Sequence, residues 1–467
     1  MTALVWFRRD LRVHDQPALC AALDDHDEVV PVFCLDDRLL HGRHASGPRT
    51  QFLLESLSDL DGSLRERGAA LVIRHGRPER ELVALAREAG AEAIFYTMDV
   101  SPFARERGRQ AIDAFVDAGL DVSAHPGLTV IDDVATLRTQ AGSPYTVFSP
   151  FWRAWVGVER RDVLSAPRRV ALAPGVDPSR IPSLSDLGLE QEVSDPPPGG
   201  EEAGRRRMQA WLRSGVERYD RTHDLLDRDG TSRLSPYLHL GCVSPREVEG
   251  RLSAEGKGPS AFRRQLCWRD FYHGVLHAFP QNAFVEYQER YRGLRWSYAQ
   301  RRFEAWAEGR TGYPLVDAGM RQLRREGWMH NRARLVVGSF LTKDLGIDWR
   351  WGERWFMRML VDGDEANNNG NWQWIASVGV DPAPYFRRIF NPARHMERFD
   401  PHGGYVREYV PELRPVPDRH LREPWAMSAE EQQEVGCVIG RDYPKPIVDH
   451  RRAREQAMER FREAANR

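Results

Sequence analysis

The sequence predicts an α/β N-terminal domain on a parallel five-stranded, Rossmann-like sheet, followed by an all-α C-terminal domain. Two observations carry this. Short apolar, β-rich runs alternate with amphipathic helical segments through residue 124, the pattern of a parallel sheet with helices on both faces. From Glu201 onward that alternation vanishes and helical periodicity takes over. A third observation narrows the class. No GxGxxG follows the first strand, so the sheet lacks the NAD-type fingerprint.

In order, residues 2–7 (TALVWF) read as a buried strand, 17–24 as a helix and 28–36 (EVVPVFCLD) as a second strand. A helix at 49–67, a strand at 69–76, a helix at 78–89 and a strand at 91–96 follow. A helix at 103–118 and a short strand near 121–124 close the sheet. The first turn carries Arg8, Arg9, Asp10 and Arg12, which either grip an anion or form a solvated ion-pair cluster. Residues 1–130 are assigned to the sheet domain, 131–200 to an irregular, Pro-rich connector ending in SDPPPGG (194–200), and 201–467 to the helical domain. Helices are expected over RRRMQAWL, SPREVEGRL, AFRRQLCWRDFYHGVLHAF, YPLVDAGMRQLRREGW and ARLVVGSFLTKDL, with loops at 281–296 and 381–415.

The 467 residues carry a net charge of −1, with 41% hydrophobic and 29% charged residues, so any nucleic-acid binding must come from a local patch. No apolar run is long enough to span a membrane. The N-terminus puts charges where a signal peptide needs an apolar core, so a cytoplasmic protein is expected. The five cysteines, Cys20, Cys34, Cys242, Cys267 and Cys437, show no metal or CxxC spacing; no metal site is expected.

Chemistry concentrates at 348–374, DWRWGERWFMRMLVDGDEANNNGNWQW, which holds five of the fourteen tryptophans. Its Asn, Asp and Gly residues make it poor material for a simple helix. Asp362, Asp364 and Asn368 beside Trp372 and Trp374 suit a pocket for a flat, polar-edged aromatic ligand; a flavin, with N3–H and N5 to satisfy, is one such ligand. The bland alternative is a satisfied structural cluster. In GTSRLSPYL (230–238), Thr231, Ser232, Arg233 and Ser235 either cap a helix or, with Tyr219, cradle a diphosphate. Gln265, Trp268 and Arg269 share one helical face, and Asn331 sits beside Arg334 and Leu335, a set able to stack on and hydrogen-bond an extruded nucleobase. Arg387, Arg388, Arg394 and Arg398 among aromatics (385–400) suit a phosphate backbone, or form a solvated face.

Together these pieces resemble the photolyase/cryptochrome family over essentially the full length, and most of all its bacterial cyclobutane pyrimidine dimer photolyases. The matching segments are WFRRDLRVHD (6–15), SPYTVFSPFW (143–152), GTSRLSPYL (230–238), QLCWRDFY (265–272), GYPLVDAGMRQL (312–323), WMHNRAR (328–334), DGDEANNNGNWQW (362–374), FNPARHMERFD (390–400) and YPKPIVDH (443–450). The resemblance implies an antenna-chromophore domain, a helical domain binding FAD, and light-driven repair of UV-damaged DNA. In that reaction excited FADH⁻ lends an electron to a flipped-out pyrimidine dimer. It also implies roles by position. Tyr219, Thr231, Ser232, Arg233, Leu234 and Ser235 would meet the FAD phosphates and ribityl chain; Arg334, Asp362 and Asp364 its ring side; and Asn368 its N5. Trp372, Trp349 and Trp296 would form the electron-transfer chain. Trp268 and Trp374 would stack on the lesion, with Gln265, Arg269, Asn331, Arg332, Leu335, Arg387 and Arg394 in DNA contact.

The (6-4) repair enzymes carry two histidines where this chain has Asn331 and Leu335, so their imidazole acid is missing. Against the best-known cyclobutane enzymes, Gln265 replaces Glu, Leu335 replaces Met and His223 replaces Arg. Cys34 and Asp99 resemble an 8-hydroxy-5-deazaflavin antenna site, while the folate version's Asn-Glu pair is replaced by Ala104 and Arg105. The iron–sulfur branch's four ligands are not reproduced by Cys242, Cys267 and Cys437. A cryptochrome-like photoreceptor is the alternative, but the chain stops shortly after YPKPIVDH and no output tail is expected. A generic FAD oxidoreductase would need a nicotinamide fingerprint. A monomer is expected.

Overall fold

The computed structural model describes residues 1–466. Five parallel strands, β1 (Thr2–Phe7), β2 (Glu28–Leu35), β3 (Val72–His75), β4 (Ala93–Thr97) and β5 (Asp121–His125), stand in the order β3-β2-β1-β4-β5. β1 is central and buried along its whole length, which is why TALVWF is continuously apolar rather than alternating. The strand order reverses between β1 and β4, so the turns that leave them, Arg8–Asp10 and Met98–Asp99, lie at the sheet's switch point.

The helices of the sheet domain fall within two residues of their expected bounds, because Pro at the first turn or a capping Ser marks each start. Three expectations are corrected. The connector holds a helix, Phe148–Val156, hidden in the sequence by Pro150 in its first turn, where proline is tolerated. The segment 381–415 is not a loop: it contains Pro392–Phe399 and Gly404–Tyr409. The Trp- and Asn-rich stretch is two helices, Trp349–Met359 and Glu365–Ala376, broken only at 360–364. Two of its asparagines bond away from the helix, Asn368 to Glu353 and Asn369 to the Asn282 carbonyl, while Asn371 donates back to the Asn367 carbonyl within it.

The two halves share one hydrophobic core, which runs from Phe7 and Leu57 to Trp211, Tyr237 and Phe271. Polar groups seal the seam. Arg12 donates to the carbonyls of Gly241 (2.8 Å), Gly127 (3.1 Å) and Asp15 (2.8 Å), and Glu201 accepts from Val13 N at 2.7 Å. Asp10 accepts from Arg8 N, Gln16 and Thr97. The Arg-Arg-Asp cluster is therefore ion-paired and carbonyl-bound but buried, not solvated. Among the described residues no helix is long and apolar enough to cross a membrane.

Gly241 sits on the seam with φ +69, and a Cβ there would meet the Arg9 carbonyl oxygen at 2.0 Å. Left-handed strain plus overpacking predicts that Gly241→Ala lowers stability by about 2–4 kcal/mol. The measurement is the urea midpoint; an unchanged midpoint would mean that the seam yields freely.

Candidate functional site

A cavity of about 480 Å³ opens among the helices Lys257–Ala278, Asn331–Ser339 and Glu365–Ala376 and the turn 231–235. Its floor is set by Asp364. This carboxylate caps Glu365–Ala376, accepting from Asn367 N (2.8 Å) and Asn367 Nδ2 (2.7 Å). Its other oxygen is gripped by Arg9, with His273 Nε2 at 3.4 Å and His239 Nδ1 at 3.8 Å. Burial opposes ionisation, yet the neighbouring His273 and Arg9 hold this carboxyl well below the usual range. Gly363 separates the two aspartates because a Cβ there would meet Arg49 Nη1 at 2.4 Å; Arg49 donates onward to the Met357 carbonyl at 2.7 Å.

Asp362 accepts from Arg334 Nη2 at 2.8 Å through one oxygen, while the other is buried in the cavity wall without a partner. Asn368 spends both Nδ2 hydrogens on the Glu353 carbonyl (3.0 Å) and the Glu353 carboxyl (3.1 Å). Only its carbonyl oxygen is left for the cavity. Burial raises the Glu353 carboxyl, against the lowering effect of His44, Arg43 and the Asn368 amide that donates to it. These are acceptors waiting for N–H groups.

Tyr219, Thr231, Ser232, Arg233, Leu234 and Ser235 also line the cavity. Thr231 and Ser232 do not cap the next helix: Ser235–His239 has Leu234 at its N-cap and no side-chain cap. Their hydroxyls instead line the cavity. Arg233 has φ +50, stacks over Trp328 at 4.4 Å and pairs with Glu326 at 3.2 Å.

Gln265, Trp268, Asn331, Leu335 and Trp374 line the same cavity and are more exposed than the aspartates. Trp268 lies flat on Phe148, with ring centroids 3.7 Å apart and planes within 3°. Trp374 Nε1 donates to Asp381 at 2.9 Å and its ring carries Arg388 at 4.0 Å. Arg388 is buried on Asp381, so it is a prop and not the surface cation expected. Arg269 likewise spends its terminal nitrogens on the carbonyls of Leu128 and Leu238, and Arg332 on Asp224. Each has nearby acceptors that a charge run cannot reveal. Arg387 and Arg394 are exposed and form no ion pair among the described residues.

Trp372 lines the cavity, edge-on to Phe356 (5.0 Å) and near Trp306 (6.2 Å). Trp349 is fully buried, donating to Glu286 at 3.3 Å, and Trp296 is half-buried; neither lines the cavity. Cys34 and Asp99 lie apart, at the carboxyl edge of the sheet. Asp99 faces Arg9 at 3.3 Å and the Cys34 thiol donates to the Gly76 carbonyl at 3.5 Å. Sequence reasoning missed Arg9, Arg49, Glu353, His239, His273 and Phe148 as site groups. Arg9 and Phe148 sit inside segments it had marked; Arg49, in an ordinary helix start, carries no signal.

Residues 3–168 match a family model described as DNA photolyase, and residues 262–463 one described as the FAD binding domain of DNA photolyase. A deoxyribodipyrimidine photo-lyase of Streptomyces griseus is 42% identical, over 97% of each chain. Among solved structures, a bacterial class III photolyase of Agrobacterium tumefaciens aligns with TM-score 0.93 and 34% identity, covering 100% of this chain and 98% of that one. A cryptochrome of Synechocystis sp. PCC6803 aligns with TM-score 0.89 and 31% identity, over 98% of each chain.

One prediction concerns pH. His330 Nδ1 accepts from Arg332 N at 3.1 Å and caps Asn331–Ser339. Burial pushes its imidazole down to about 4, with Arg233, Arg332 and Arg334 adding to the effect and Asp224 opposing it. The folded chain keeps this histidine neutral, whereas the unfolded chain protonates it near 6.5. Stability must therefore fall as pH drops from about 6.5 to about 4, by up to about 3 kcal/mol from this group. His330→Asn, which keeps a capping acceptor, should flatten that slope in denaturation midpoints; an identical pH profile would refute it.

Proposed function

The chain belongs to the DNA photolyase family, and on that premise we propose how its residues carry out light-dependent repair. The activity is that of a carbon–carbon lyase acting on cyclobutane pyrimidine dimers in UV-damaged DNA. The reading rests on one observation: a single cavity is lined both by buried flavin-type acceptors and by more exposed lesion-type groups.

The groups present fit FAD. The unpartnered Asp362 oxygen and the free Asn368 carbonyl oxygen match N–H groups on the ring, and the Thr231–Ser235 turn with Tyr219 matches the diphosphate and ribityl chain. When bound and reduced, FAD supplies the photoexcited electron donor. The protein's part is placement. Asp364 fixes the start of the helix that carries Asn368, Trp372 and Trp374. Arg334 holds the Asp362 side chain in place in the cavity wall. Trp268 and Trp374 stack on the lesion bases, and Asn331 and Gln265 hydrogen-bond their carbonyl edges. Arg387 and Arg394 meet the phosphate backbone. Trp372, Trp349 and Trp296 pass an electron inward from the surface. Gln265 donates a hydrogen bond but brings no proton for acid catalysis, and Asn331 and Leu335 supply no imidazole at the two positions where the (6-4) enzymes carry histidines. That favours dimer splitting over (6-4) chemistry.

A deazaflavin antenna is the second part of the proposal. Arg8 and Arg107 are buried beside Trp6, each with an Nε that has no partner, near Cys34 and Asp99 at the switch point. Two such cations suit an anionic chromophore, and Ala104 and Arg105 offer no carboxylate to a folate. All these groups come from one chain, so no second subunit is required. The free cysteines, four of them buried, fit a reducing, cytoplasmic setting.

The test is to illuminate the reduced protein with a dimer-bearing oligonucleotide and follow recovery of thymine absorbance; no recovery with intact flavin and DNA binding would sink the reading. Trp372→Phe should slow photoreduction at least about tenfold, a barrier rise of about 1.4 kcal/mol, and leave repair by pre-reduced protein nearly intact. Equal loss of both would make Trp372 a prop. Folate in an extract of the purified protein would overturn the deazaflavin assignment.

A further inference from the structure

Beside the large cavity lies a second one of about 230 Å³, and the two share Trp268, Tyr272 and Trp374 as walls. Arg264 lines the smaller cavity. Its neighbour Arg263 is spent on Glu249 at 3.1 Å, but Arg264 is half-buried and forms no ion pair or hydrogen bond among the described residues. Its guanidinium lies over Phe148 (5.1 Å) and Trp152 (5.4 Å), a stacking that leaves its N–H edge free. Thr146 and Ser149 line the same cavity with hydroxyls that also have no partner among the described residues. The cavity's one acid, Asp381, is taken by Arg388 at 2.5 Å and Trp374 at 2.9 Å.

An unpaired cation, two free hydroxyls and no available carboxylate select an anion. The neighbouring cavity selects which one. A nucleotide drawn out of the duplex to stack on Trp268 stays joined to its strand through phosphates, and Phe148, lying flat on that same Trp268, carries Arg264. We propose that Arg264, with Thr146 and Ser149, forms a subsite for one phosphodiester of the lesion-bearing strand, immediately beside the flipped dimer. This rests on the repair reading and extends it to a contact that fixes how the strand enters.

The experiment is a cycle between protein and DNA. Dimer-bearing oligonucleotides, each with one flanking phosphate replaced by a neutral methylphosphonate, are titrated against the FAD-loaded wild type and Arg264→Gln. The flavin spectrum and its photoreduction, which Arg264 does not touch, serve as the folding control. R264Q is expected to bind the all-phosphate oligonucleotide about tenfold more weakly and to reduce the salt slope by about 0.9. One methylphosphonate position should cost the wild type about tenfold and R264Q almost nothing. R264K should keep the salt slope and lose part of the affinity. If every position costs both proteins the same factor, or if R264Q binds like the wild type while the wild type still prefers damaged DNA, the subsite is wrong and repair stands. If the wild type shows no preference for damaged over intact DNA, the repair reading falls and the subsite with it.

Discussion

The site depends on how one buried carboxylate is held. Asp364 caps the helix Glu365–Ala376 with one oxygen and meets Arg9, from the first turn of the sheet domain, with the other. Leaving either partner of such a buried pair alone costs about 3–5 kcal/mol, a large share of the 5–15 kcal/mol that holds an ordinary domain together. The capped helix carries Asn368, Trp372 and Trp374 among six cavity-lining residues, so a shift at its start would move all of them at once. Arg49 adds a second brace by packing on Gly363 and tying Met357 to the sheet side. The floor is thus assembled from both halves of the chain.

Precision at the cavity comes from side chains that are themselves held. Asn368 is oriented by Glu353, Trp374 by Asp381 and Arg388, and Trp268 by Phe148. Close packing of backbone on ring serves the same end. A Cβ at Gly370 would meet the Tyr272 ring at 2.1 Å, and one at Gly352 would meet Trp372 at the same distance. The glycines that look like helix breakers are where rings press on helices.

The sheet was legible because β1, β2 and β4 are buried along nearly their whole length and its helices open on Pro or Ser. The composition of the site was legible too: Asp362, Asn368, Trp268, Trp374, Asn331 and the 231–235 turn line one cavity. What escaped was partnership. Glu365–Ala376 has no apolar stripe, since its asparagines reach in several directions, so periodicity could not find it. Of the arginines at 385–400, sequence could not tell that Arg388 turns inward to Asp381 while Arg387 stays out. Arg9 and Asp364 are 355 positions apart, and no local signal joins them.

That long-range clasp limits how modular the protein can be. The sheet half looks detachable, but it donates two guanidinium groups to the cavity built by the other half. A chimera that exchanged residues 1–130 for a foreign sheet domain would inherit a working pocket only if the incoming piece carried arginines equivalent to Arg9 and Arg49. Otherwise it would bury the Asp364 charge without its partner. The two halves are therefore constrained to diverge together.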